Sequence, residues 1–114
     1  MPNSNQRAGS NWEVEAAEYL RDQGLKTIER IRIKHPDRGD LGGMTDWTIE
    51  CKAISKLTLA EGMDQLGRAK MVNGTPWGVL LVKRRRCAAG RAFAVVELAQ
   101  WAATARMLDE VSAP

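Results

Sequence analysis

In residues 11–23, Trp12, Ala16, Tyr19 and Leu20 recur at the spacing that lines one helix face, and Gly24 supplies a stop. Residues 1–10 are polar and read as a flexible arm, after which Ser10-Asn11-Trp12-Glu13 fits a serine-x-x-glutamate capping box. Residues 26–34 predict a strand, with Ile31 and Ile33 alternating against Arg30, Arg32 and Lys34 and with Ile28 out of phase. Pro36 and Gly39 mark a loop. Residues 40–44 and 47–53 then predict two short strands around a Thr45-Asp46 turn. Leu59, Met63, Leu66 and Ala69 form the stripe of a second helix, closed by Asn73-Gly74. Residues 77–83 predict a strand whose run from Trp77 to Val82 has no polar side chain, as in a strand covered on both faces. A turn at Ala88-Ala89-Gly90 leads to a strand over 92–96 and a last helix over 98–108. The predicted order is α-β-β-β-α-β-β-α, an α/β fold with a mixed central sheet flanked by helices.

A chain of 114 residues suits one domain. With 44% hydrophobic and 27% charged residues it has a globular composition, which disfavours disorder and repeat architectures. No apolar run approaches the ~18–20 residues that span a bilayer, and the polar N-terminus lacks the apolar centre of a secretory signal. Cys51 and Cys87 fit neither a zinc cluster nor a disulfide framework. The expectation is a cytoplasmic protein with reduced thiols and no membrane partner.

Charge changes the picture through its distribution. The excess of 17 Lys and Arg over 14 Asp and Glu is small. Lys83-Arg84-Arg85-Arg86 and Arg91, however, form a run without an acid, and Arg30, Arg32, Lys34, His35 and Arg38 form a second. Such patches suit phosphates; a solvated hairpin turn accounts for the first equally well. His35 is the only histidine, so a metal cluster of several histidines is excluded, and its place in a loop gives no sign of serine–histidine catalysis.

The chemistry concentrates around the strand over 47–53. Alternation directs Trp47, Ile49 and Cys51 to a core and Thr48, Glu50 and Lys52 to the other face. Asp40 opens the preceding strand, so a hairpin brings it toward Glu50. Two neighbouring carboxylates repel unless a cation lies between them. Oxygen ligands from Asp40, Glu50 and the Cys51 carbonyl suit Mg²⁺, or Mn²⁺ in its place. Such an ion supports phosphodiester hydrolysis, with Lys52 as a further cation beside the developing charge. No organic cofactor is implied.

Asp40…Glu50-Cys51-Lys52 resembles the aspartate, then glutamate-x-lysine, signature of the PD-(D/E)XK, or restriction-endonuclease-like, nucleases. Arg7-Ala8-Gly9-Ser10-Asn11-Trp12-Glu13 looks like the arginine-x-glycine-serine-x-x-glutamate start of archaeal and phage-type Holliday junction resolvases. Tyr19 to Leu25, Gly39-Asp40-Leu41 and residues 78–83 extend that similarity over most of the chain. It implies a restriction-endonuclease-like core and a homodimeric metal-dependent endonuclease that cuts four-way DNA junctions. Glu13, Asp40, Glu50 and Lys52 would be catalytic, the three acids holding metal. Glu15 is the alternative should the register slip. Arg7, Ser10, Lys34, Arg38, Arg84, Arg85 and Arg86 are the candidate DNA contacts. The aspartate ligand is Asp40 or Asp37, which follows the literal Pro36, with Asp46 a third choice. The strand over 94–96 and the last helix, with Trp101 and Leu108, are the candidate dimer surface. A nickase, flap or repair nuclease, or a catalytically silent DNA-binding module, are the alternatives.

Overall fold

A computed structural model describes residues 4–31, 39–53 and 58–113, and the side chains within these ranges except those of residues 4–8 and 10. Helix α1 (Ser4–Asp22) leads into β1 (Glu29–Arg30), β2 (Leu41–Gly42) and β3 (Trp47–Lys52). Then come α2 (Leu59–Asn73), β4 (Trp77–Val82), a 3-10 turn (Ala89–Arg91), β5 (Phe93–Val95) and α3 (Leu98–Ser112). The five strands form one mixed sheet in the order β1-β2-β3-β4-β5. Only β3 and β4 are parallel, in register from Trp47 opposite Trp77 to Lys52 opposite Val82, with α2 as their crossover. The predicted order of helices and strands and the mixed sheet are therefore present.

Two helices cover opposite faces. Trp12, Ala16 and Ala17 of α1 pack with Ile28, Leu41, Ile49 and Cys51 in the main core, against Val79 and Leu81. The Trp12 indole N–H donates to the Leu81 carbonyl at 3.0 Å, pinning α1 across β4. On the other face a Cβ at Gly78 would lie 3.0 Å from Leu66 and 2.6 Å from Lys70, so α2 rides directly on β4 there. Leu66, Ala69 and Leu80 are buried. The α2 helix ends as expected, with Gly74 in the left-handed region at φ 66°. Strand β4 is thus covered on both faces, which is why it reads as an apolar run.

Several local expectations differ. The helix begins at Ser4 rather than at residue 11, so the predicted arm over residues 1–10 is helical from its fourth residue. Gln6, Arg7 and Ala8 are good helix formers, and no proline follows Pro2 to interrupt them. Ser10 consequently lies inside the helix and cannot cap it. In the first strand, Ile28 rather than Ile31 is the fully buried residue, at 1% exposure. Asp40 is a bend rather than the first residue of β2. Residues 32–38, with Lys34, Asp37 and Arg38, lie outside the described residues.

Candidate functional site

Gly39 starts the site. It is buried with φ 93°, and a Cβ there would sit 3.1 Å from the Ile49 carbonyl oxygen, so a side chain would be strained and crowded at once. The turn delivers Asp40 between two strands. Its N–H donates to Ile49 O at 2.8 Å, and its carbonyl accepts from Ile31 N–H at 3.0 Å. The two main-chain groups point to opposite neighbours, unlike those of a residue in a regular ladder. The carboxylate then turns back, and Oδ2 accepts the Cys51 N–H at 2.7 Å. Asp40 therefore brackets Glu50, holding the residue before it by the main chain and the residue after it by the side chain.

Strand alternation sets the remaining directions. Ile49 and Cys51 are buried in the α1-side core, so Glu50 and Lys52 are directed to the other face. Both are half-buried. The N–H and C=O of one strand residue point to the same neighbour. The Cys51 carbonyl accordingly faces the β2 side, where the Asp40 carboxylate lies. Thr48, on the Glu50 face, is buried instead of solvated, because Asn73 Nδ2 donates to its Oγ1 at 2.9 Å and Thr75 Oγ1 lies 2.6 Å away.

Glu13 arrives from the opposite layer. It is buried at 7% exposure on the α1 face and lies 3.6 Å from an Arg30 guanidinium nitrogen. At that distance the contact is a loose ion pair, and the Arg30 Nε is buried without a hydrogen-bond partner. Arg30 was read from the sequence only as part of a basic stretch. Its alternation with the out-of-phase Ile28 is the signal that it turns inward. Among the described residues no three His, Cys, Asp or Glu side chains are grouped closely enough to hold a metal. The structure thus joins Asp40 to the Glu50 strand segment and keeps Glu13 with Arg30.

The basic turn adjoins the same end of the sheet. Lys83 N–H donates to the Lys52 carbonyl at 2.9 Å, so the chain leaves β4 beside Lys52. Arg84, Arg85 and Arg86 that follow are exposed, Arg86 with a left-handed φ of 59°. Arg7 and Ser10 lie on α1, with side chains outside the described set. Glu15 is half-exposed on α1. Asp46 is an exposed turn residue with φ 70° that precedes Trp47, so β3 separates it from Lys52, and it is no partner for that end of the strand.

The chain matches no protein-family model, no curated protein and no solved structure. Function is then to be read from the geometry.

By chemistry, the oxygen donors on the Asp40 and Glu50 segments suit a hard cation in part. Two carboxylates and a main-chain carbonyl are oxygen ligands of the type that Mg²⁺ and Mn²⁺ accept, usually with several waters retained. One Asp40 oxygen is engaged with Cys51 N–H, which fixes the direction of the side chain.

Proposed function

We propose that the chain is a metal-dependent DNA endonuclease with a restriction-endonuclease-like core, acting on branched DNA of the four-way junction class. The observation that carries this reading is Asp40 clasping the Glu50 segment, with Lys52 and the basic turn leaving the sheet at the same end. The basic turn would hold the phosphodiester backbone, whose charge attracts clustered arginines independently of sequence. Asp40 and Glu50, with the Cys51 carbonyl, would hold Mg²⁺ or Mn²⁺; Glu13, the third acid by resemblance, stands on the α1 side of the sheet, opposite the face to which Glu50 is directed. When bound, the ion supplies a more acidic water and neutralises phosphoryl charge. The Lys52 ammonium, on the Glu50 face, would stabilise negative charge that builds on the phosphate in the transition state.

A second copy is the partner we propose for α3. Gln100 is the buried residue of this helix, and its Oε1 accepts Gly78 N–H at 2.9 Å. Leu98, Trp101, Leu108 and Val111 are exposed. A helix with its amide inward and its large apolar residues outward is poorly matched to water. Pairing across a two-fold axis would cover that stripe and present two sites to the two strands of a junction. Among the described residues no helix is long and apolar enough to cross a membrane.

The loose Glu13–Arg30 pair and the absence of a three-acid group among the described residues favour a second reading, a DNA-binding module without catalysis. Cleavage of matched duplex, flap and four-way substrates with Mg²⁺ separates the two. Junction nicking that Glu50→Ala abolishes while binding survives is the expected outcome. Junction binding with no nicking in Mg²⁺ or Mn²⁺ would establish the silent module.

A further inference from the structure

An apolar cavity of about 160 Å³ lies between α1, the 3-10 turn and β5, away from Asp40 and Glu50. Trp12, Tyr19, Leu81, Gly90, Phe93 and Ala94 line it. Gly90 is pressed close to Tyr19, since a Cβ there would lie 2.8 Å from the phenol oxygen. Phe93 is 53% exposed on the outermost strand, with the Arg84 guanidinium 5.4 Å from its ring centroid. Arg84, Arg85, Arg86 and Arg91 are all exposed, and residues 83–96 contain no acid.

These features call for two chemistries in one ligand. Trp12, Tyr19 and Phe93 in an otherwise aliphatic lining suit a flat ring, and the cations beside it ask for anions. A wholly acidic peptide would leave the apolar lining unused, and a plain hydrocarbon would leave the four exposed arginines unmatched. A nucleotide within a strand supplies both, because every base has a π-face and every linkage a charge. The cavity is smaller than the roughly 300–1,000 Å³ clefts of drug-sized ligands, so it suits one ring system.

We propose that this cavity is a stacking pocket for one unpaired nucleobase, whose flanking phosphates the turn over residues 83–86 holds. The pocket rests on the nucleic-acid reading above and narrows its substrate to DNA with a base free to leave the helix. Phe93 provides the stacking face and Arg84 both orients the ring and meets phosphate. The turn that carries Arg84 leaves β4 beside Lys52, whose carbonyl accepts the Lys83 N–H.

The test is binding by fluorescence anisotropy in EDTA, with duplexes bulged by one thymidine or by one abasic residue at the same place. The full chain should bind the bulged base about tenfold more tightly than the abasic duplex. Phe93→Ala should erase that ratio, and Phe93→Tyr should restore it. Arg84→Gln should weaken both complexes and flatten their salt dependence. Equal affinity for the two duplexes, or a ratio that Phe93→Ala leaves intact, would overturn the pocket. So would a Phe93→Ala variant that changes only its sedimentation, which would assign Phe93 to a subunit contact. Base preference without Mg²⁺-dependent cutting would remove the nuclease and keep the pocket. Cutting without base preference would do the reverse, and no DNA affinity at all would end both.

Discussion

Asp40 has two roles that substitution can separate. Its carboxylate satisfies the Cys51 N–H, and it would also be a metal ligand. Asp40→Asn keeps an oxygen acceptor at the same place, so stability should fall by less than about 1 kcal/mol. Asp40→Ala deprives a buried segment of its acceptor and should cost roughly 1–3 kcal/mol. Urea unfolding compares the two, and cleavage should be lost in both. A fully active Asp40→Asn enzyme would confine the residue to its structural bond and return attention to Asp37. Glu13 poses the complementary question. Arg30 is 38% exposed on its side chain, so screening limits the ion pair, and Glu13→Gln should cost about 1 kcal/mol or less. If Glu13 serves the chemistry, that mild variant should nonetheless lose Mg²⁺-dependent cutting. Wild-type rates with a lowered unfolding midpoint would mark Glu13 as a tether between α1 and β1.

At the scale of elements, the two short strands before β3 depend on glycines more than on β-propensity. Gly43 has φ 90°, and a Cβ there would overlap the Thr27 carbonyl, while Thr27 Oγ1 donates to the Gly43 carbonyl. Gly43→Ala should therefore cost about 3 kcal/mol or more, combining a strained backbone with overpacking. An unchanged urea midpoint would show that the β1–β2 contact yields without penalty. Helices and long strands were legible because burial imposes a period on them. The α2 stripe ends at Gly74 as its spacing predicts, and the apolar run of β4 is covered on both faces. Strands of two residues show no period at all. Hence the alternation over residues 26–34 does not say which isoleucine faces the core, and Ile28, just before β1, carries that contact. The capping box failed for a different reason: a four-residue pattern cannot register that good helix formers precede it.

For the whole molecule, α3 decides the surface. Trp101 is 59% exposed while Gln100 is buried, so Trp101 is not part of the core, and a dimer contact is the role proposed for it. Trp101→Asp with Leu108→Lys should convert a dimer to a monomer in analytical ultracentrifugation without lowering the melting temperature of the monomer unit. A wild-type chain that sediments as a monomer at high concentration would leave α3 for another partner. Such an inversion was hidden in the sequence, because a stripe of Leu98, Trp101 and Leu108 has the same period whether it faces its own sheet or a neighbour.

The order of helices and strands, the faces of β3, and the short list of acids and cations all follow from local patterning, because side-chain direction in a helix or strand repeats with a known period. Which acids meet is a matter of long-range placement. The bend at Gly39 carries Asp40 onto Cys51, the packing of α1 carries Glu13 onto Arg30, and the Gln100 anchor turns the apolar stripe of α3 outward. Each depends on contacts between residues distant in the chain, and those are set only when the layers pack.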